Sequence, residues 1–237
     1  SSSVDDVTKM NSCLIAPSIL TADFGQLHQQ IQAADEGGAD LWHLDVMDGH
    51  FVPPLSFSGE VIKAVSEASK NLIEVHAMVA HPSEHFETFI QNGASRVIFH
   101  YEAAMKAPDL GGPGLGETVV LLRDMGAEVG IALNPETQVD EISDLLPEIQ
   151  QVTIMLIRPG WGGQQMNTSL LAKVREVREL ITKQGLNLHV EVDGGVKPHN
   201  ASSCREAGAD IIVAGSSVFN SEGTAEQNLK ILKQSLG

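Results

Sequence analysis

The chain has 237 residues, 42% of them hydrophobic and 19% charged, values typical of a globular protein with a full core rather than a disordered chain. Its formal net charge of -16 argues against nucleic acid as a partner, because phosphate backbones require clustered Lys and Arg. No apolar run approaches the roughly 20 residues of a membrane-spanning helix, so no membrane partner is expected. The two cysteines, Cys13 and Cys204, form no disulfide or metal-binding spacing and are typical of a reducing compartment.

Short apolar or β-branched runs alternate along the chain with segments of helical periodicity. A junction motif recurs between the two, in which a Gly stands where the left-handed cap of a helix is expected and a strand begins at once. The motif reads "GGAD" at 37–40, "NGAS" at 92–95, "MGAE" at 125–128 and "AGAD" at 207–210. The runs predict eight strands, at 13–19, 41–47, 72–78, 96–102, 128–134, 152–158, 187–193 and 210–216.

Strands that alternate with helices indicate right-handed parallel crossovers, and eight such units predict an α/β fold, a single-domain (β/α)8 TIM barrel. We expect residues 13–237 to form this barrel and the polar residues 1–12, which lack the apolar core of a signal peptide, to form an N-terminal extension. The alternative is an open doubly wound sheet. Such a sheet usually carries GxGxxG after its first strand, whereas residues 16–25 read "APSILTADFG".

Polar side chains stand near the carboxyl ends of the predicted strands, where TIM barrels place their chemistry. His43 and Asp45 share a face of one strand because side chains alternate along it, and His76 and Asp193 fall late in two other strands. Any one of these histidines alone is more often a satisfied core residue. Together, two imidazoles and two carboxylates predict one divalent metal ion per subunit, and Zn(II), Fe(II), Mn(II) and Co(II) all accept such ligands.

Other polar residues on the strands leave more than one interpretation open. Spacing alone does not separate His100 from His76, and His189 lies deeper than Asp193, where a buried hydrogen-bonding role is expected. Glu74 and Glu191 share faces with candidate ligands, so each either supports an imidazole or forms an outward ion pair.

Glycine-bearing loops follow the last three predicted strands: "RPGWGG" at 158–163, "DGG" at 193–195 and "AGS" at 214–216. Glycine lets the backbone approach an anion closely and present N–H donors. Because TIM barrels often bind phosphate at the loops after strands seven and eight, the three loops favour a phosphate site.

Segments in all parts of the chain resemble the ribulose-phosphate 3-epimerase family. The combination of HxDxxDGxFVP with VDGG and AGS is highly specific. The matching segments are "IAPSILTADF" at 15–24, "HLDVMDGHFVP" at 43–53, "VHAM" at 75–78, "ALNP" at 132–135, "PGWGGQ" at 159–164, "VEVDGGV" at 190–196 and "AGADIIVAGSSVF" at 207–219.

The resemblance implies an isomerase of the pentose phosphate pathway that interconverts D-ribulose 5-phosphate and D-xylulose 5-phosphate through an enediolate. It implies that Asp45 and Asp193 are the acid/base pair, that both also bind the metal together with His43 and His76, and that His100 is not a ligand. It further implies a homo-oligomer, a dimer or larger. Cytosol is the default location, and a plastid is possible if a transit peptide was removed. Substrate contacts are implied for Ser18, His76, Met47, Met78, Met155, Gly160, Trp161, Gly162, Gly163, Gly194, Gly195, Gly215 and Ser216, with Trp161 also expected to help close over the substrate.

Three segments depart from the family pattern and leave the substrate open. "MLIRPGWGG" stands for "MTVNPGFGG", with Leu156, Arg158 and Trp161 substituted, and "VHAM" for "VHLM" is expected to open space at Ala77. Residues 103–117 are glycine-rich, and a flexible connection is favoured there over a lid. The alternative function is therefore 3-epimerisation of another ketose phosphate, such as allulose 6-phosphate.

Two other classes of function fit the sequence poorly. Related decarboxylase or aldolase barrels use an Asp-x-Lys-x-x-Asp strand, and no Lys stands near Asp45. A non-catalytic sugar-phosphate-binding protein need not retain both Asp45 and Asp193.

Overall fold

The computed structural model describes residues 12–161 and 163–237, and within them eight parallel strands form one sheet that curls into a barrel. Neighbouring strands follow one another in the chain, and β1 pairs with β8. An isolated parallel bridge between Ser18 and His43 joins β1 to β2. The predicted (β/α)8 barrel is therefore confirmed. Its strands are β1 (Leu14–Pro17), β2 (Trp42–Met47), β3 (Ile73–Met78), β4 (Arg96–His100), β5 (Glu128–Leu133), β6 (Gln151–Met155), β7 (His189–Asp193) and β8 (Ile211–Ala214).

The connections are helical in every unit. Between β5 and β6 a 3-10 helix, Val139–Glu148, replaces an α-helix; Pro147 lies within it and has no N–H for a regular hydrogen-bonding ladder. Across the described ranges, no helix has both the length and the apolar character needed to cross a membrane. The α-helices there are α1 (Leu27–Glu36), α2 (Gly59–Ala68), α3 (Phe86–Gln91), α4 (Tyr101–Lys106), α5 (Leu115–Asp124), α6 (Leu171–Lys183), α7 (Ala201–Ala207) and α8 (Ala225–Ser235).

The observed bounds differ from the predicted ones mainly at strand ends. Glu102, predicted at the end of the fourth strand, lies in the first turn of α4. β8 ends at Ala214, two residues before the predicted bound at 216. Residues 1–11 lie outside the described part of the chain, so the boundary predicted after residue 12 stays a prediction.

The expectation of a flexible glycine-rich connection at 103–117 is wrong. Helix α4 runs to Lys106, a 3-10 helix occupies Ala107–Leu110, and α5 begins at Leu115. Alanine and other good helix formers dominate the first part of the segment, so only residues 111–114 are left to connect the helices.

The strands of the barrel divide their side chains between two environments. Leu44, Val46, Val75 and Ala77 point outward and join the hydrophobic core beneath the helices. The alternate positions of β2 and β3 point into the barrel, and they carry the polar residues. The strand period thus places the chemistry on the inner face and the apolar packing on the outer one.

The glycines of the four recurrent junctions take the left-handed backbone conformation that the sequence predicted. Gly38, Gly93, Gly126 and Gly208 have φ angles of 99°, 122°, 86° and 119°. A side chain at such a position is strained, which explains why each of these four junctions uses Gly.

We expect Gly208→Ala to destabilise the barrel more than Gly126→Ala. Both substitutions force a Cβ into the left-handed region, at about 1–2 kcal/mol each. At Gly126 nothing lies within 4 Å of that Cβ, whereas at Gly208 it would meet Arg178 Cβ at 2.8 Å and disturb an arginine that donates to the Gly208 carbonyl. Urea unfolding of both variants measures the difference, and equal losses of stability would contradict this account.

Candidate active site

Strands β2, β3 and β7 bring four predicted ligands together on the inner face of the barrel. Nε2 of His43 lies 3.1 Å from Asp45 Oδ1, 3.3 Å from His76 Nδ1 and 3.4 Å from Asp193 Oδ2. His76 Nδ1 lies 3.0 Å from Asp45 Oδ1 and 3.3 Å from Asp193 Oδ2. The two histidines are buried, Asp45 is nearly so, and the Asp193 side chain keeps 15% exposure at the barrel mouth.

These distances fit a single small cation. Zn(II) and similar ions bind N and O ligands at about 2.0–2.2 Å, which separates neighbouring donor atoms by roughly 2.8–3.6 Å in octahedral or tetrahedral geometry. One ligand atom from each of the four side chains lies within 4.8 Å of all the others. The cluster is therefore compatible with a divalent metal ion, and its mixed N and O donors do not select which one.

The histidines and aspartates of the cluster shift one another's pKa values toward the charged forms. Burial alone raises the pKa of a carboxyl group, yet the imidazoles of His43 and His76 outweigh it and lower the pKa of both Asp45 and Asp193. Burial alone lowers the pKa of His43, but the charge of Asp45 and hydrogen bonds to Asp193 and Asp45 raise it well above its ordinary value. These interactions favour the ionised form of each aspartate, which is the form that binds a cation.

Glu74 holds the second ring nitrogen of His43. Its Oε1 lies 2.8 Å from His43 Nδ1, and its Oε2 accepts from Arg96 at 3.0 Å and from Gln151 at 3.2 Å. A bound cation would require Nε2 without its proton; in that tautomer Nδ1 donates to Glu74 and the lone pair of Nε2 faces the cluster. Of the two interpretations left open for Glu74, support for an imidazole is the correct one.

Glu191 completes this buried group beside Glu74. Burial and the charge of Glu74 raise the pKa of Glu191 well above its ordinary value. The pKa of Glu74 is lowered, because hydrogen bonds from Glu191 and His43 and the charge of Arg96 outweigh its burial. The ionised form is thus favoured for Glu74 and the protonated form for Glu191. Glu191 also faces inward, with its Oε1 accepting from Thr153 at 3.0 Å.

His76 is supported differently. Its Nε2 lies 2.8 Å from Nε2 of His100, and the rings stack with centroids 5.0 Å apart. Burial lowers the pKa of His100, so its neutral ring accepts the proton that His76 Nε2 carries when Nδ1 faces the cluster. His100 therefore contacts the candidate ligand His76, but it is not one of the four residues whose ligand atoms converge.

Ser18 and His189, two further residues singled out in the sequence, make hydrogen bonds to aspartates. Ser18 donates to Asp45 Oδ2 at 2.7 Å, so it fixes the carboxylate oxygen that faces away from the cluster. His189 makes the expected hydrogen bond, to Asp210 Oδ2 at 3.2 Å, but the expectation that it is buried is wrong, since 42% of its side chain is exposed. It begins β7, at the end of the barrel opposite the cluster, where the strand meets solvent.

A pocket opens above the four predicted ligands, and of the predicted substrate contacts among the described residues all except His76 line it. Gly162 lies outside the described residues. Trp161 is 55% exposed at the rim, and Gln164 donates to its carbonyl and to that of Arg158, which ties the loop together. The predicted residues at the pocket are Ser18, Met47, Met78, Met155, Gly160, Trp161, Gly163, Gly194, Gly195, Gly215 and Ser216, with Asp45 and Asp193 at its base.

The substitutions expected to reshape the pocket at Ala77 and Leu156 do not reach it. Both side chains are fully buried in the hydrophobic core outside the barrel. Ala77 alternates with the inward-facing His76, so its side chain packs toward the helices, and the expectation of extra space for a substrate there is wrong.

One residue at this end of the barrel was missed by sequence reasoning. Lys197 follows the "DGGV" segment, and its Nζ donates to Ser216 Oγ at 2.5 Å. A cation directly after a predicted phosphate loop is a signal that the sequence contains, but its contact with the next loop depends on the fold.

Comparison with known proteins gives concordant results. A family model described as the Ribulose-phosphate 3 epimerase family matches residues 14–219. Ribulose-phosphate 3-epimerase of Synechocystis sp. is 40% identical over 90% of this chain and 90% of that protein. The chloroplastic ribulose-5-phosphate-3-epimerase of Arabidopsis thaliana is 37% identical over 95% of this chain and 78% of that protein. Among solved structures, KGPDC from Streptococcus mutans has a TM-score of 0.66 at 14% identity, covering 95% of this chain and 97% of that one, a likeness of fold alone.

We expect Glu74→Gln to weaken divalent metal binding by about 10- to 100-fold, the usual effect of removing the carboxylate behind a metal-binding histidine. Glu128→Gln is the matched control: Glu128 also pairs with Arg96, at 2.8 Å, but it is half-exposed and does not contact His43. Calorimetric titration of Co(II) or Zn(II) into chelator-treated protein measures both. Wild-type affinity in Glu74→Gln would show that Glu74 does not orient His43 for a metal.

Proposed function

Because the chain belongs to the ribulose-phosphate 3-epimerase family, we propose that it interconverts D-ribulose 5-phosphate and D-xylulose 5-phosphate by proton transfer at C3. The observation that carries this proposal is the meeting of Asp45 and Asp193 with two imidazoles at the base of one pocket. Inverting a carbon next to a carbonyl requires a base on one side and an acid on the other, and two carboxylates from different strands meet that requirement.

His43, Asp45, His76 and Asp193 would hold one divalent ion per subunit, and Zn(II), Fe(II), Mn(II) and Co(II) remain equally suited to this donor set. When bound, such an ion supplies positive charge that stabilises the enediolate oxygens of the substrate. Glu74 and His100 keep the ligand nitrogens of His43 and His76 turned toward the same point.

Asp45 and Asp193 carry the protons in this proposal. One carboxylate removes the C3 proton, and the other, protonated, returns a proton to the opposite face; reversing the reaction exchanges their roles. Ser18 donates to Asp45 Oδ2 and thereby restricts the rotation of that carboxylate. Met47, Met78 and Met155 are each at most 5% exposed, and their apolar side chains exclude water from the reacting carbon.

The phosphate group of the substrate would lie against the glycine loops at the other side of the pocket. Gly160, Gly163, Gly194 and Gly195 line that part of the pocket, and Gly215 and Ser216 add the third loop. Gly162 is assigned to the same group. Trp161, at the exposed rim, would cover the bound substrate.

The pentulose phosphate is favoured over a hexulose phosphate such as allulose 6-phosphate. Two of the departures that raised the alternative, at Ala77 and Leu156, point away from the pocket into the core. Residues 103–117 are taken up by α4, a 3-10 helix and α5 and do not line the pocket.

The assembly and the location stay predictions. A homo-oligomer, a dimer or larger, is supported by large apolar side chains exposed on the side of α4 and α5, among them Met105, Leu110 and Val120. Cytosol remains the expected location, with a plastid as the alternative.

We expect NMR of metal-loaded protein with D-ribulose 5-phosphate in D2O to show deuterium at C3 and the appearance of xylulose 5-phosphate. Asp193→Asn should slow both by about 10²–10⁴-fold, because it removes one proton carrier. Asp109→Asn, on the exposed 3-10 helix after α4, is the control and should behave as wild type.

Metal content is measured for every sample, so that loss of the ion is distinguished from loss of the proton carrier. Wild-type protein that holds metal but exchanges no deuterium would overturn the proposed substrate, and six-carbon ketose phosphates would be the next panel. Undiminished exchange in Asp193→Asn would rule out the two-aspartate mechanism.

A further inference from the structure

Lys197 lies between the two loops assigned to phosphate. It follows Gly195 in the loop after β7, and its Nζ donates to Ser216 Oγ in the loop after β8, at 2.5 Å. Lys63, Lys230 and Lys233 form ion pairs with carboxylates, whereas Lys197 forms none with any residue of 12–161 or 163–237. Its positive charge is therefore not compensated by an acidic side chain of the described chain.

The backbone of Lys197 is fixed in place by Asn200. The Asn200 side chain accepts from the Lys197 N–H at 2.7 Å and donates to the Gly195 carbonyl at 3.0 Å. The carbonyl of Lys197 in turn accepts from the N–H groups of Asn200 and Ala201. Pro198 also restricts Lys197 to an extended backbone. The loop thus fixes the point from which the Lys197 side chain starts, and the hydrogen bond to Ser216 holds its ammonium group.

The contact decides how Ser216 presents its hydroxyl. When Lys197 donates to Ser216 Oγ, one lone pair is occupied and the hydroxyl proton is left to point elsewhere. Ser216 lines the pocket, so its proton is available to an oxygen of a ligand there.

The phosphate end of the pocket needs a cation of its own, because the divalent ion proposed above would offset the charges of Asp45 and Asp193 at the base. A phosphate monoester carries nearly two negative charges at neutral pH, and this chain has a net charge of -16. The described residues that line the pocket include Asp45 and Asp193 but neither Lys nor Arg. Lys197, one hydrogen bond behind Ser216, is the cation placed to offset that repulsion.

We propose that Lys197 and Ser216 act as a unit that binds the phosphate dianion and makes this site selective for phosphorylated ketoses. The inference rests on the proposed function and names the group that confers selectivity within it. Lys197 supplies charge and orients the Ser216 hydroxyl, while the proton transfers remain with Asp45 and Asp193. Its removal should therefore weaken binding of substrate and of its phosphate group and leave the chemical step unchanged.

The test compares Lys197→Met with Lys230→Met. Both variants lose one positive charge and keep an apolar stem, but Lys230 is exposed on α8 and pairs with Glu226 at 2.6 Å, away from the pocket. Steady-state kinetics with D-ribulose 5-phosphate give KM and kcat, and competitive inhibition by inorganic phosphate reports on the phosphate subsite alone.

For Lys197→Met we expect KM and the phosphate Ki to rise by about 10-fold or more, as for the loss of a charge-assisted hydrogen bond, with kcat within about 2-fold of wild type. Lys230→Met should change none of them. Ser216→Ala combined with Lys197→Met should raise KM less than the two single effects multiplied, because the two residues act on one group.

Values of KM and Ki equal to those of Lys230→Met would overturn the inference, as would a fall in kcat without a change in Ki. Thermal unfolding checks whether Lys197 only braces the loops; if Lys197→Met does not fold, Lys197→Gln decides in the same way. Wild-type protein inactive on D-ribulose 5-phosphate would refute the proposed function instead. Calorimetric binding of inorganic phosphate to wild type and Lys197→Met would then still decide the role of Lys197.

Discussion

The register between β2 and β3 is the constraint on which the rest of the site depends. It places Asp45 opposite His76 and His43 opposite Glu74 on the inner face of the barrel. A slip by one residue would turn these side chains toward the helices and bring Leu44, Val46 and Val75 inside, because strand side chains alternate with a period of two. The apolar packing of those three residues outside the barrel therefore holds the polar residues in place inside it.

A layer of buried polar side chains beneath the pocket supports His43. Glu74, Glu191, Arg96, Gln151 and Thr153 are all buried, where an apolar layer would pack with less desolvation. Their hydrogen bonds end on His43, so the layer holds a functional imidazole rigidly at some expense in stability. Polar residues that lower stability where an apolar core would pack better are expected at functional sites.

The fold and the convergence of His43, Asp45, His76 and Asp193 were predictable because both follow from the strand period and the barrel topology. The strand period put His43 and Asp45 on one face, and the barrel brought the ends of distant strands to one mouth. The same period would have placed Ala77 outside, opposite to His76, and the error there came from judging a substitution by its neighbours in sequence. Residues 103–117 were misjudged because their glycines were given more weight than the helix formers before them.

Contacts between elements were beyond the reach of the sequence. That Glu74 meets His43 depends on the β2–β3 register, and that Lys197 meets Ser216 depends on how the loops after β7 and β8 approach each other. Neither is set by spacing along the chain. Resemblance to a family supplied the roles of the strand-end residues, but not these supporting contacts.

The pairing of β1 with β8 has a consequence for biosynthesis. The first and last strands lie far apart in the sequence: the Cys13 thiol contacts the carbonyl of Ala209, 196 positions later. The barrel therefore closes only when β8 is available to pair with β1. During synthesis His43, Asp45 and His76 leave the ribosome well before Asp193, and β1 waits with an unpaired edge. Long-range closure of this kind is slow, and the incomplete barrel is the species most exposed to aggregation.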